Sequence, residues 1–159
     1  MNIVLFVLDA IRPDHLGING YHRNTSPNID QLAKESIDFK NSITAIPSTA
    51  PAIASLMTGL YPHSHGLRFI HRQKLDHKVT VLPEILQAHG YKTLGFDIDM
   101  LNHGFEKGFD EFSLLRWRIE NKAKRIIKKV FNWNYNILRA EEITHFAKKQ
   151  IKKYKDRNF

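Results

Sequence analysis

A carboxylate, a hydroxyl and a pair of imidazoles stand out in the sequence: Asp9, Thr49, and His63 with His65. Asp9 closes a run of six apolar residues, Ile3 to Leu8, and is followed by Arg12-Pro13-Asp14. Ligands of open α/β sheets bind beyond the carboxyl ends of strands, and an acid at that place can hold a hard divalent cation through oxygen. The same residue serves equally well as a turn or helix-cap aspartate, and Asp14 as a partner that holds the turn. Thr49 precedes a helix with Pro51 in its first turn. Helix N-termini attract sulfate and phosphate groups, and the Thr49 hydroxyl could attack one if a metal ion or a base activates it. Read without other information, Thr49 or Ser48 is a helix cap, the usual use of these residues. His63 and His65 stand two apart in Tyr61-Pro62-His63-Ser64-His65-Gly66 and could meet one metal or anion. Nine histidines are scattered over the chain, so hydrogen-bonded loop imidazoles are the plainer reading of the pair.

The elements that must carry these groups alternate. Ile3 to Leu8 reads as a strand buried on both faces, which implies a parallel sheet. Thr25-Ser26-Pro27-Asn28 offers cap and turn chemistry before a helix to Glu35, and Ile37 to Ile43 reads as a short second strand. Ala52 to Thr58 is rich in helix formers with Gly59 as a stop, Val81 to His89 is a further helix ending at Gly90, and Lys92 to Ile98 is a third strand. Strand, helix, strand, helix, strand is the α/β pattern. Asn102 to Phe112 is glycine-rich and aromatic. Two basic amphipathic helices follow, about Leu114 to Phe131 and Ile137 to Tyr154, with a break over Asn132 to Asn136. The expected domains are an α/β portion over 1–111 and a basic helical segment over 112–159 that packs on it.

At 159 residues the chain fits one domain of ordinary size, and its 42% hydrophobic and 25% charged residues are near globular averages. The net charge of +8 is concentrated: 14 Lys or Arg face 4 Asp or Glu from Phe112 to Phe159, against 10 and 12 before it. Such a segment could bind nucleic acid or an anionic membrane, although solvation of an outer helix face is the commoner use. With no cysteine there are neither disulfides nor thiolate ligands. The opening apolar run is too short for a membrane span and lacks a signal peptide's basic start, so a soluble, cytoplasmic protein is expected.

Taken in order, the motifs resemble the sulfatases of the alkaline-phosphatase superfamily. Leu8-Asp9-Ala10-Ile11-Arg12-Pro13-Asp14-His15-Leu16-Gly17 is similar to the family's opening strand and metal-binding acid, and Thr25-Ser26-Pro27-Asn28-Ile29-Asp30-Gln31-Leu32-Ala33 to its next stretch. Pro47 to Gly66 resembles its signature, with nucleophile, proline and closing motif in register. Looser similarity continues through Leu82 to Leu86, Gly90 to Thr93 and Gly104 to Asp110. The resemblance implies a three-layer α/β sandwich with a mainly parallel sheet, represented by its first, incomplete half. It also implies a divalent cation at Asp9, calcium first and magnesium or manganese as alternatives. Thr49 would be the nucleophile or its positional remnant, and His65 an anion contact.

The departures are specific. The family nucleophile is a cysteine or serine, oxidised to formylglycine, two residues before the signature proline and four before an arginine; Thr49 and Ile53 stand there instead. Formylglycine is therefore not expected, and a threonine resembles the phosphoglycerol and phosphoethanolamine transferases, which use a hydroxyl directly. Ala10 replaces a second acid, and Phe96 to Met100 lacks the lysine and histidine of arylsulfatases. Family members are several times longer and carry further ligands on later strands, so a fragment or a chain completed by a partner is expected. Three readings stay open: a metal-dependent hydrolase or transferase of small sulfate or phosphate esters, a non-catalytic fragment prone to self-association, and a basic binding module built on 112–159.

Overall fold

A computed structural model describes residues 1–69, 73–97, 103–114 and 140–159, and every structural statement below concerns these. Two 3-10 turns, Pro13–His15 and Gly17–Asn19, lead to helix α1, Pro27–Ala33. Helix α2 is Thr49–Thr58 and α3 is Pro62–His65. Helix α4, Leu82–Ala88, precedes strand β1, Leu94–Asp97; strand β2 is Glu111–Leu114 and helix α5 is Ala140–Lys153.

Helix α2 follows directly from its composition. Alanines and unbranched residues favour the helical backbone, and Pro51 sits in the first turn, where its missing N–H would have no partner anyway. Gly59 ends it in the left-handed region, φ 68°, where its N–H reaches the Ser55 carbonyl at 2.8 Å. Ala50, Pro51 and Ala54 form its buried face. The small side chains let Leu67, Leu75, Val81 and Phe105 close on the helix, and these residues with Ala50 and Ala54 make one core, against which Ile53 packs. At the entry to α4, Glu84 Oε2 accepts the Val81 N–H at 3.0 Å, which satisfies a donor that the helix start leaves open.

The sheet has two parallel strands, with Leu94 opposite Glu111 and Asp97 opposite Leu114. Thr93 fastens its start: its N–H donates to Asp110 Oδ2 at 2.8 Å, its hydroxyl to the Gly108 carbonyl at 3.0 Å. Gly95 carries no side chain because a Cβ there would strike the Phe112 ring. Helix α5 meets β1 through an edge-on contact of Phe146 with Phe96, ring centres 5.3 Å apart. It meets β2 through Glu111, which accepts from the Tyr154 hydroxyl and pairs with Lys153 at 3.1 Å. Among the described residues no helix is long and apolar enough to cross a membrane.

Several expectations need correction. Ile3 to Leu8 is not a strand; its side chains are 42% to 77% exposed. An apolar run of this kind forms a strand only when a neighbouring strand pairs with it and both its faces are covered. Here Ile3 instead donates its N–H to the Phe159 carbonyl at 2.7 Å. Ile37 to Ile43 is likewise irregular, with Ile37, Phe39 and Ile43 all at least 76% exposed. The third expected strand shortens to Leu94–Asp97 within its described part. Strand β2 was not expected at all, and it straddles the boundary drawn between residues 111 and 112. The last expected helix covers Ala140–Lys153 in its described part, whereas the one from Leu114 to Phe131 and the following break lie outside the described residues apart from Leu114, which ends β2.

Candidate functional site

Two chain segments about forty residues apart meet at Asp9 and Thr49. Asp9 lies in a turn after the apolar run, with Oδ1 accepting the Ala10 N–H at 2.9 Å. Ala10 has φ 57°, the left-handed region that L residues other than Asn and Asp rarely visit, at a cost of about 1 to 2 kcal/mol. That turn leaves Oδ2 directed at Thr49 Oγ1, 3.5 Å away, the outer limit of a hydrogen bond. Thr49 is the first residue of α2, and Ser48 before it is extended, φ −145° and ψ 131°, with no capping bond from its side chain. The first turn leaves the N–H of Thr49 without a helix partner at the positive end of a ten-residue helix, Ala50 being fully buried and Pro51 having no N–H. A hydroxyl, a carboxylate and the Thr49 N–H thus lie together at the start of α2.

The loop that follows Asp9 is tied down by polar bonds. Asp14 is engaged by Arg12 in an exposed ion pair at 2.5 Å, and the guanidinium's hydrogen bonds hold this carboxyl below its ordinary pKa. Of the stretch Thr25 to Asn28, expected to offer cap and turn chemistry, Ser26 is the residue directly before α1. It occupies the cap position, but its buried hydroxyl accepts the Gly17 N–H at 2.9 Å and donates to Asp30 Oδ1 at 2.9 Å. Asp30 Oδ1 also accepts the Ile18 N–H at 2.9 Å. A Cβ at Gly17 would collide with that carboxylate, so the fit requires glycine.

His65 is placed differently from the other two candidates. It is fully buried against α2; Nδ1 accepts the Leu67 N–H at 3.2 Å, so the proton sits on Nε2 and is donated to Ser55 Oγ at 3.0 Å. Burial lowers its pKa below the ordinary 6.5, which favours this neutral form. Both ring nitrogens are used inside the chain, and His63 is exposed and stacked on Tyr61. Ser55 is the partner that sequence reading missed; it lies six residues beyond Thr49 on the same helix, and no spacing in the sequence ties it to His65.

As cation ligands, these oxygens fit in kind but not in number. Calcium takes six to eight oxygens, and a carboxylate with one hydroxyl falls well short. Among the described residues no group of three His, Asp or Glu side chains could hold a metal ion.

Comparison with known proteins gives a consistent outcome. The family model described as Sulfatase matches residues 1–159. An ulvan-active sulfatase of Formosa agariphila is 37% identical over 92 residues, covering 58% of this chain and 18% of that protein. The mouse N-acetylgalactosamine-6-sulfatase is 28% identical over 153 residues, covering 83% of this chain and 29% of its own. A crystal structure assigned as a sulfatase from Bacteroides thetaiotaomicron superposes with a TM-score of 0.55 at 22% identity, covering 69% of this chain and 24% of that one. The chain thus spans less than a third of the length of each.

Proposed function

Because this chain belongs to the sulfatase family, and so shares the alkaline-phosphatase-like fold of its structural neighbours, we propose that Asp9 and Thr49 are the remains or the core of a sulfate-ester hydrolase site. The observation that supports this reading is the 3.5 Å approach of Thr49 Oγ1 to Asp9 Oδ2 at the start of α2. The names of the two relatives motivate a sulfated saccharide as substrate, with a phosphate ester as the alternative group. Thr49 Oγ1 would attack the sulfur; the new O–S bond forms as the ester S–O bond breaks, and the proton lost by the Thr49 hydroxyl passes to the departing oxygen, which leaves as the alcohol. Water then releases sulfate from Thr49. The N–H of Thr49, at the positive end of α2, would hold an anionic oxygen during attack. Because threonine carries a methyl on Cβ, oxidation there gives a ketone, so no formylglycine forms at this position. Asp9 would be one ligand of a divalent cation, calcium before magnesium or manganese, which supplies Lewis-acid chemistry when bound; its other ligands would have to come from beyond the described residues.

A second reading has its own support in the lack of any three-ligand cluster among the described residues: the chain keeps the geometry without turnover. Calorimetry with calcium and hydrolysis of 4-nitrophenyl sulfate and 4-nitrophenyl phosphate separate the two. The hydrolase reading expects calcium binding that Asp9→Asn abolishes and turnover that Thr49→Ala abolishes. Calcium binding without turnover selects the second reading. Turnover that survives Thr49→Ala removes the nucleophile, and calcium binding unaffected by Asp9→Asn removes the cation site.

A further inference from the structure

Helix α5 separates its faces sharply. Ile143, Phe146, Ala147, Gln150 and Tyr154 are half-buried toward the sheet, at the spacings of three and four that place side chains on one side of a helix. The opposite side carries His145, Lys148, Lys149 and Lys152, all exposed, and the chain beyond adds exposed Lys155 and Arg157. Lys153 is held by Glu111, but Lys148, Lys149, Lys152, Lys155 and Arg157 form no ion pair with a described residue. At 1.5 Å of rise per residue, Lys148 and Lys152 lie about 6 Å apart along the axis on one side. Exposed Glu141 and Asp156 flank this strip of like charge, but neither forms an ion pair with it among the described residues, and a helix gains no stability from the repulsion between its lysines.

We infer that this outer face of α5 is a docking strip for an extended sulfated polysaccharide, the polymeric form of the substrate class proposed for Asp9 and Thr49, on which the inference rests. Charge complementarity selects a polyanion. The composition of the strip then chooses among polyanions. Lysines act as point charges without the planar fork of arginine, and the exposed side of α5 offers a base no Phe, Tyr or Trp ring and only the single His145 imidazole, so it is poorly equipped for nucleic acid. A helix that lies on a membrane buries its apolar face in lipid, whereas that face of α5 is already spent on Phe96 and Glu111, leaving Ile151, 37% exposed, as the marginal exception. A chain of closely spaced sulfate groups needs only a row of mobile cations.

The test uses the whole chain and dextran sulfate, measured by calorimetry at 50 and 200 mM salt, with uncharged dextran, duplex DNA and phosphatidylserine vesicles alongside. The triple substitution Lys148→Gln, Lys149→Gln, Lys152→Gln removes three charges that form no ion pair with a described residue, and circular dichroism checks that α5 persists. Three contacts change the slope of log affinity against log salt by about 2 to 3. The wild type should therefore lose roughly 20- to 40-fold more affinity than the variant as salt rises between those limits. Uncharged dextran should not bind. Equal slopes for a folded triple variant and the wild type overturn the proposal, as does tighter binding of DNA or vesicles than of dextran sulfate. Asp9→Asn should leave dextran sulfate binding within twofold. A protein that binds dextran sulfate but not calcium therefore loses the hydrolase reading alone, and one that binds calcium but not dextran sulfate loses the docking strip alone.

Discussion

Asp9 and Thr49 face each other across 3.5 Å, yet the segments that carry them are held in opposite ways. Thr49 starts a helix whose inner side is closed by apolar contact: Ala50, Ala54, Leu67 and His65 are all fully buried. Asp9 follows an exposed apolar run and sits beside a left-handed alanine, and the loop after it is secured by polar bonds from Ser26, Asp30 and Thr25. A nucleophile must be aimed within a fraction of an ångström, and dense packing provides that. A carboxylate meant for a large, flexibly coordinated cation tolerates a looser seat. The contrast fits the proposed division of labour, and it can be broken at either side.

The largest effect should come from the packed side. Leu67→Ala removes a fully buried side chain from the core beneath α2, and such truncations cost about 2 to 5 kcal/mol. Urea denaturation should show a lower midpoint with an unchanged slope. A loss below 1 kcal/mol would mean that α2 is not held by this core. On the polar side, Ser26→Ala leaves the half-buried Gly17 N–H without its acceptor, which costs about 1 kcal/mol. Hydrogen exchange should accelerate at Gly17 and Ile18 while the Ala54 amide stays protected. Equal loss of protection at Ala54 would show that the two regions unfold as one, and the contrast would fail.

How much of this was legible in the sequence follows from the range of each signal. Helix α2 was readable because Pro51 and Gly59 act on their own backbone, and so was α4 with its stop at Gly90. The Ile3 to Leu8 run was readable as a strand-former, but a strand needs partners, and no local pattern states whether they are present. Strand β2 escaped because Glu111-Phe112-Ser113-Leu114 is short and mixed in polarity; its pairing with β1 and the Thr93–Asp110 bonds decide it. The proximity of Asp9 to Thr49 came from the resemblance and not from any spacing. Ser26 looked like a cap by type, and only the fold shows its hydroxyl turned toward Gly17. His65 read most plainly as a hydrogen-bonded loop imidazole, and its burial depends on the return of the chain at Gly66 against α2.

His65 also gives the packed side a dependence on pH that the Asp9 loop should lack. Its pKa in the folded chain is lowered from 6.5 because burial disfavours the charged ring. Above 6.5 both folded and unfolded states are neutral there, and the group has no effect. As pH falls through 6.5 the unfolded chain takes up a proton that the folded chain refuses, so stability drops until the folded value is passed. His65→Gln keeps an N–H donor for Ser55 and should remove that acid-side loss. Denaturation midpoints from pH 7.5 to 5 check it; a variant as acid-sensitive as the wild type assigns the loss to another group.

The smallest effects test the backbone itself. Ala10 and Gly59 both occupy the left-handed region, φ 57° and 68°, one beside the carboxylate and one closing the nucleophile's helix. At Gly59 an added Cβ meets nothing within 4 Å, so Gly59→Ala changes only conformational energy. That substitution should destabilise by about 1 kcal/mol. Ala10→Gly should do the reverse and stabilise, by about 0.5 to 1 kcal/mol, because release of the strain outweighs the extra freedom glycine gains in the unfolded chain. The strained alanine directs Asp9 Oδ2 at Thr49, so the stabilised variant should hold calcium less tightly if Asp9 is a ligand. Thermal melts measure the first quantity and calorimetry the second. Stability gained with calcium affinity unchanged would show that the turn is strained for no benefit to the carboxylate, and Asp9 would then be a turn residue and nothing more.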